Sequence, residues 1–158
     1  MKKTILETAI TTIKLEAASV AGLSAFIDNT FEKTIHILAA CKGRIVISGI
    51  GKSAIVAQKI VATLNSTGTP SLFMHAADAI HGDLGMVQRD DVVMLISKSG
   101  ESPEIKVLVP LIKNFGNILI GMAGNMQSFL AQSSDHVLNT TVSQEACPNN
   151  LAPTSSTT

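Results

Sequence analysis

Apolar residues recur at helical spacing along the first forty positions. Ile5, Ala9, Ile13, Leu15, Ala17 and Val20 fall roughly on one face over residues 2–22. Phe26, Ile27, Phe31, Ile35, Leu38 and Ala39 repeat the pattern over residues 24–41. Lys42-Gly43 is expected to stop the second helix, with Gly43 as the C-cap residue. The period then changes. Residues 45–50 form a short, almost continuous apolar run rich in β-branched side chains, the pattern of a strand covered on both faces. Further strands are expected at 71–74, 92–97, 118–123 and 137–141, with helices at 53–65, 104–114 and 126–132 and a turn at Thr67-Gly68-Thr69-Pro70. This alternation predicts an α/β fold: a five-stranded parallel sheet flanked by helices, a flavodoxin-like three-layer sandwich preceded by two N-terminal helices.

The chain contains no internal repeat, low-complexity tract or linker, so residues 1–158 are read as one domain, with the N-terminal helices in 1–42 and the sheet in 43–158. Leu151-Ala152-Pro153-Thr154-Ser155-Ser156-Thr157-Thr158 resembles a loop leading to a helix N-cap, yet no apolar run follows. The expectation is that the natural chain continues into at least one covering helix; a disordered Ser/Thr tail is the alternative.

Composition narrows the function classes. With 46% apolar and 15% charged residues the chain is globular. Twelve basic and twelve acidic side chains leave no basic excess for a nucleic-acid backbone. Trp and Tyr are absent, so stacking platforms for bases are scarce. Cys41 and Cys147 lie far apart, in no metal-ligand spacing, and are expected to stay reduced thiols. Glu7, Lys14 and Glu16 interrupt the first apolar segment, which argues against a signal peptide. No uninterrupted run reaches the roughly 18 apolar residues of a membrane span. A cytoplasmic protein without nucleic-acid or membrane partners is expected.

Two loops carry candidate chemistry. Gly49-Ile50-Gly51-Lys52-Ser53 follows the first strand and opens a helix. A Walker A loop would need glycine at position 46, which is Val46. Gly49, Gly51 and Ala54 fit a dinucleotide fingerprint, but the second strand ends at Met74-His75 without the acidic residue a ribose needs. What remains is an anion site at a helix N-terminus, with Lys52 adding charge, or a plain tight turn. The second loop, Ser97-Lys98-Ser99-Gly100-Glu101-Ser102, leads into the helix near Pro103. Its three hydroxyls and the helix N-terminus make a stronger phosphate cradle. A capping loop with Glu101 and Glu104 complementing the helix dipole is the plainer reading. In a doubly wound sheet both loops flank the point where strand order reverses, which is where ligands bind.

The strand-S-x-S-G-E-S-helix pattern resembles the sugar isomerase, or SIS, domain family. Within it, Gly49–Ser53, Ser66–Ser71, His81–Met86, Glu145–Pro148 and Leu151–Thr158 resemble arabinose 5-phosphate isomerases, a likeness running from about Lys42 to the last residue. The resemblance implies interconversion of D-ribulose 5-phosphate and D-arabinose 5-phosphate through an enediol, feeding Kdo and lipopolysaccharide synthesis. It also implies a homotetramer with shared active sites. A feedback ligand such as a Kdo nucleotide, and a phosphosugar sensor without turnover, are the other readings. Two departures stand out. Lys98 takes a place where relatives often carry Asn, and a His-containing segment and paired CBS domains of relatives have no counterpart.

Residue by residue, the resemblance assigns Glu145 as carbon base and Glu104 to hydroxyl orientation or proton sharing. Lys52 would stabilise the enediolate or bind phosphate, and His81 would assist ring opening. Gly51, Ser53, Ser97, Ser99, Gly100, Ser102 and Thr157 are expected to bind substrate. Each has a plainer structural alternative: an exposed loop carboxylate for Glu145, a dipole partner for Glu104, a solvated lysine, and a bystander histidine. The proton transfer needs no cofactor, and His75 with His81 offers too few ligands to define a metal site.

Overall fold

The structure is a computed structural model and describes residues 4–149 and 151–158. Its strands are β1 (Ile45–Gly49), β2 (Ser71–His75), β3 (Val92–Ser97), β4 (Ile118–Ala123) and β5 (His136–Asn139). All pair in parallel, in the order β2-β1-β3-β4-β5. Parallel neighbours need crossovers, and the helices α3 (Lys52–Ser66), α5 (Pro103–Phe115) and α6 (Phe129–Ser133) supply them. A short α4 (Ala76–Ile80) and a 3-10 turn, Asp83–Met86, lie between β2 and β3. Neither was legible as a helix in the sequence, because segments this short display no full apolar period.

Every residue of β1 and β3 is buried, as expected of central strands covered on both faces. Val46, Val93, Leu95 and Leu119 face Ile105, Leu108 and Ile112 of α5 on one side. Ile45, Ile47, Met94 and Ile120 face Ala57 and Val61 of α3 on the other. Burying each large aliphatic side chain contributes about 1.5–3 kcal/mol against chain entropy.

The N-terminal region departs from expectation. α1 (Ile5–Gly22) begins with a capping box, in which Thr4 Oγ1 accepts from the Glu7 N–H and the Glu7 carboxylate accepts from the Thr4 N–H. The expected helix over 24–41 is instead a 3-10 turn (Leu23–Phe26) followed by α2 (Asn29–Ala39). Asp28 restarts the helix by accepting from the Thr30 and Phe31 N–H groups at 2.8 and 3.0 Å. α2 is capped at Ala40, so Gly43 is not its cap; the Gly43 N–H donates to Asp90 O across the base of the sheet.

α1 buries none of its residues, and Ile5, Leu6, Ile10, Ile13 and Val20 are exposed. By length and composition alone, Ile5–Phe26 is apolar enough to cross a membrane, contrary to the expectation that no segment would be. The expectation counted uninterrupted runs, and polar residues such as Lys14 and Glu16 break this one.

The N-terminal ends of the strands are closed by polar groups. The Asp91 carboxylate, 1% exposed, meets Arg44 Nη2 at 2.8 Å and accepts from the Arg44 and Gln88 N–H groups. Burial alone would raise the Asp91 pKa; the Arg44 hydrogen bond and the two backbone donors overcome it and hold the pKa below the usual carboxylate range. Asn117 Nδ2 donates to Gln88 O and Asp91 O, both at 2.8 Å. Asp135 accepts from the Leu119 N–H at 2.9 Å.

Candidate active site

The carboxyl ends of the strands have a different character. Gly49 of β1 pairs with Ile96 of β3, so loops 49–53 and 97–102 leave adjoining strand ends. α3 starts from Gly51, whose φ of 59° and ψ of −128° suit glycine and whose lack of a side chain leaves the first turn without a side-chain cap. Its first amide groups therefore face the crevice as unpaired donors.

The serine loop is fixed from behind. The Gly100 N–H donates to Ser97 Oγ at 3.1 Å, and the Glu101 N–H to Ser99 Oγ at 3.3 Å. Gly100 has φ 66°, and a Cβ there would lie 2.1 Å from Ser128 Oγ, so the loop can seat against α6 only with glycine. The Leu130 N–H reaches Gly100 O, and the Phe129 N–H reaches the Glu101 carboxylate. Glu101 also pairs with Lys106 at 2.7 Å, which places it among loop anchors.

Ser102 stands at the N-cap of α5 but makes no side-chain cap. Its Oγ is buried without a hydrogen-bond partner, and so are Ser48, Ser155 and Ser156 Oγ. A buried hydroxyl left unpaired costs about 1–3 kcal/mol, and native proteins rarely tolerate it without a reason. Ser48 is the penultimate residue of β1, Ser102 follows β3, and Ser155 and Ser156 belong to the cavity wall described next. Ser102 thus does not cap α5, while Ser97 and Ser99 accept loop amides as the capping reading expects, and unpaired hydroxyls gather at one end of the sheet.

A cavity of about 500 Å³ opens there. Lys52, Ser53 and Lys98 line it from the strand-end loops, Ser155–Thr158 from the last 3-10 turn, and Ser19, Val20 and Leu23 from α1 and the turn after it. Of the residues expected at a site, Lys52, Ser53 and Thr157 are in this lining. Gly51 precedes Lys52 as the N-cap of α3, while Ser97, Ser99 and Gly100 shape the adjoining loop. Glu104 sits in the first turn of α5, outside the lining. His81 is exposed at the C-cap of α4 and also lies outside it. Among the described residues no three His, Cys, Asp or Glu side chains cluster as metal ligands.

Glu145 sits behind the cavity wall, where with Thr8, Thr11 and Thr12 it lines a neighbouring depression against α1. Its side chain is 7% exposed. Oε1 pairs with Lys98 Nζ. Oε2 accepts from the Thr154 N–H at 2.7 Å, from Thr154 Oγ1 at 3.1 Å and from the Ser156 N–H at 3.3 Å. Thr154 Oγ1 in turn accepts from the Ala146 and Cys147 N–H groups. Burial works against ionisation of Glu145. The Lys98 ammonium, the neighbouring Ser156 hydroxyl and the Thr154 and Ser156 amides outweigh it, and the carboxyl is held far below its ordinary pKa. The Ser156 hydroxyl acts by proximity, since it completes no hydrogen bond of sound geometry. The exposed-carboxylate alternative does not hold. Thr154 and Ser156 were missing from the residues expected at the site, although both lie in the C-terminal stretch 151–158. Ser48 carries no sequence signal, being one serine inside an apolar strand.

A parallel sheet in this strand order, with glycine and serine loops at the adjoining ends of β1 and β3, is a doubly wound α/β domain whose ligand site falls at the point where strand order reverses. The chain belongs to the SIS domain family, which matches residues 37–158. It is 53% identical to arabinose 5-phosphate isomerase KdsD of Pseudomonas aeruginosa over 97% of this chain and 47% of that protein. It is 49% identical to arabinose 5-phosphate isomerase KpsF of Escherichia coli O6:H1 over 93% of this chain and 45% of that one. The chain thus spans about half the length of the curated relatives it matches. Among solved structures, a protein of Escherichia coli CFT073 in complex with arabinose 5-phosphate is 42% identical and superposes with a TM-score of 0.91, over 99% of this chain and 84% of that one.

Proposed function

We propose that this chain is the sugar-phosphate domain of an arabinose 5-phosphate isomerase. The observation that carries the reading is the convergence of unpaired donors on one crevice. The Ser155 hydroxyl, the first turn of α3 and the lysines Lys52 and Lys98 line this crevice, where a phosphoryl group would sit, and Ser102 stands with its unpaired hydroxyl at the N-cap of the neighbouring α5. The strong likeness to isomerases of this specificity supports the substrate.

The reaction moves one proton between neighbouring carbons. Starting from the ketose, Glu145 removes a proton from C1 and the C–H electron pair becomes the C1–C2 double bond of an enediol. The C2 oxygen takes up a proton from an acid. Glu145 then returns its proton to C2 while O1 loses one, leaving an aldehyde at C1. Lys52 stabilises negative charge on the enediol oxygens, and Glu104 holds or shares the hydroxyl proton. Loops 49–53 and 97–102 and Thr157 grip the phosphate. His81, exposed outside this chain's own cavity, serves ring opening in a site completed by a second copy.

The uncovered apolar side chains of α1 favour such an assembly, since an exposed apolar face of this size marks a contact surface. A cytoplasmic homotetramer feeding Kdo synthesis for lipopolysaccharide or capsule, open to inhibition by a Kdo nucleotide, is the fuller form of the proposal. The test is direct. The purified chain is incubated with D-ribulose 5-phosphate, and D-arabinose 5-phosphate is followed by NMR. Formation of the aldose supports the proposal; binding without turnover would favour a phosphosugar sensor.

A further inference from the structure

Lys98 belongs to two places at once. Its half-exposed side chain lines the large cavity beside Lys52 and Ser53. Its ammonium reaches through to Glu145 behind the wall. Its backbone is fixed, because the Gly124 N–H donates to Lys98 O at 3.1 Å. Only the flexible side chain is free to choose a partner.

We propose that Lys98 is a positioning residue that masks Glu145 until a phosphate occupies the cavity, then turns to the phosphate and releases the carboxylate. This deepens the isomerase reading and rests on it. The two acceptors compete on unequal terms. Glu145 keeps three donors from Thr154 and Ser156 when Lys98 leaves, so its charge is not abandoned in a buried place. A phosphate carries up to two charges and would sit beside Lys52, in a cavity that otherwise concentrates cations. An ion pair to a phosphate in such a pocket competes well with one to a carboxylate already satisfied by amides.

The consequence is a base that gains basicity only after the substrate has docked. With Lys98 in place, the Glu145 carboxylate is too stable to take a proton from carbon; with Lys98 withdrawn, its proton affinity rises. The charged groups facing Glu145 and the cavity are Lys98, from the loop after β3, and Lys52, from the start of α3. The α1 residues lining the depression around Glu145 are Thr8, Thr11, Thr12 and Leu15, which carry no charge.

Reciprocal coupling makes the inference testable without turnover, because a partner that Glu145 holds back from phosphate must bind phosphate better when Glu145 is neutral. Inorganic phosphate is titrated calorimetrically into wild type, Glu145→Gln, Lys98→Gln and the double variant, with melting curves confirming that each is folded. Glu145→Gln is expected to bind phosphate about five- to tenfold tighter than wild type, the low end of usual coupling. Lys98→Gln is expected to bind more weakly, and adding Glu145→Gln to it should change nothing further. Equal affinities for wild type and Glu145→Gln would overturn the inference, as would a gain that persists without Lys98.

A kinetic arm covers the case in which either glutamine distorts the turn. In Lys98→Gln, the acid limb of kcat/KM should move up, while the acid limb of kcat stays where it is in wild type. Limbs that both move, or both stay, contradict the proposal. A protein that binds phosphate with the predicted coupling but does not isomerise ribulose 5-phosphate would sink the isomerase reading and leave the Lys98 exchange standing.

Discussion

Both ends of the sheet hold buried polar side chains, and they solve opposite problems. At the amino ends of the strands, Arg44, Asp91, Asn117 and Asp135 are tied to one another and to backbone groups. At the carboxyl ends, Ser48, Ser102, Ser155 and Ser156 keep buried hydroxyls without partners. Polar groups at the first end are satisfied within the fold and stabilise it. Those at the second are left for something the fold does not contain. The unsatisfied end is where α/β sheets bind ligands, so the hydrogen-bond accounting and the topology point to the same place.

Glu145 sits between the two descriptions. It belongs to the carboxyl end, yet it is bonded as fully as Asp91. Its substitution should therefore separate stability from function most sharply. Glu145→Gln is expected to lower kcat for ribulose 5-phosphate by about 10²–10⁴-fold, the usual worth of a positioned base, while phosphosugar binding persists. Normal turnover in that variant would remove Glu145 from the chemistry.

The opposite end should respond in stability alone. Asp91→Ala leaves the Arg44 and Gln88 N–H groups without their acceptor and is expected to cost about 1–3 kcal/mol in urea unfolding. Kd for arabinose 5-phosphate should be unchanged under conditions where the variant remains folded. A smaller substitution sharpens the contrast. Ser102→Ala removes a buried unpaired hydroxyl, so its unfolding free energy should rise by about 1 kcal/mol over wild type. Phosphate affinity should fall by about 1.5–3 kcal/mol, the worth of one hydrogen bond to a charged group. A stability loss without an affinity loss would make Ser102 a structural residue after all.

Acid should weaken both ends. Asp91 and Glu145 have folded pKa values lowered below their unfolded ones. Each therefore adds stability above its unfolded pKa, about 3.9 for Asp and 4.3 for Glu, and that stability is lost as pH falls further. The melting temperature is expected to drop progressively below about pH 4.3, and Glu145→Gln should flatten part of that slope. A wild-type profile that is flat through this range contradicts the depressed values.

Much of this was legible in the sequence, for identifiable reasons. β3 and β4 are bounded as expected because their buried runs end abruptly at loops. The parallel sheet followed from alternation of strands and helices, and the neighbouring ends of β1 and β3 from the common doubly wound order. The two phosphate loops were legible because glycine and serine cluster beside strand ends. What was hidden depended on distant partners. The break before α2 turned on the Asp28 side chain, which competes with the apolar period over 24–41. The true environment of Glu145 depended on Thr154, nine residues away, and on Lys98, forty-seven residues away in sequence. No local pattern announces such a meeting. The exposed face of α1 was legible as apolar, but the pattern carried no sign that α1 would lie uncovered.

The central claim is that the ends of β1 and β3 share one anion pocket. The most direct measurement is an amide NMR titration of the chain with arabinose 5-phosphate. The account predicts that the amides of Lys52, Ser53 and Ser99–Ser102, with Thr157, shift together along a single binding curve, while Arg44, Asp91 and Asn117 stay still. Shifts confined to one loop, or curves with different affinities for the two, would contradict it.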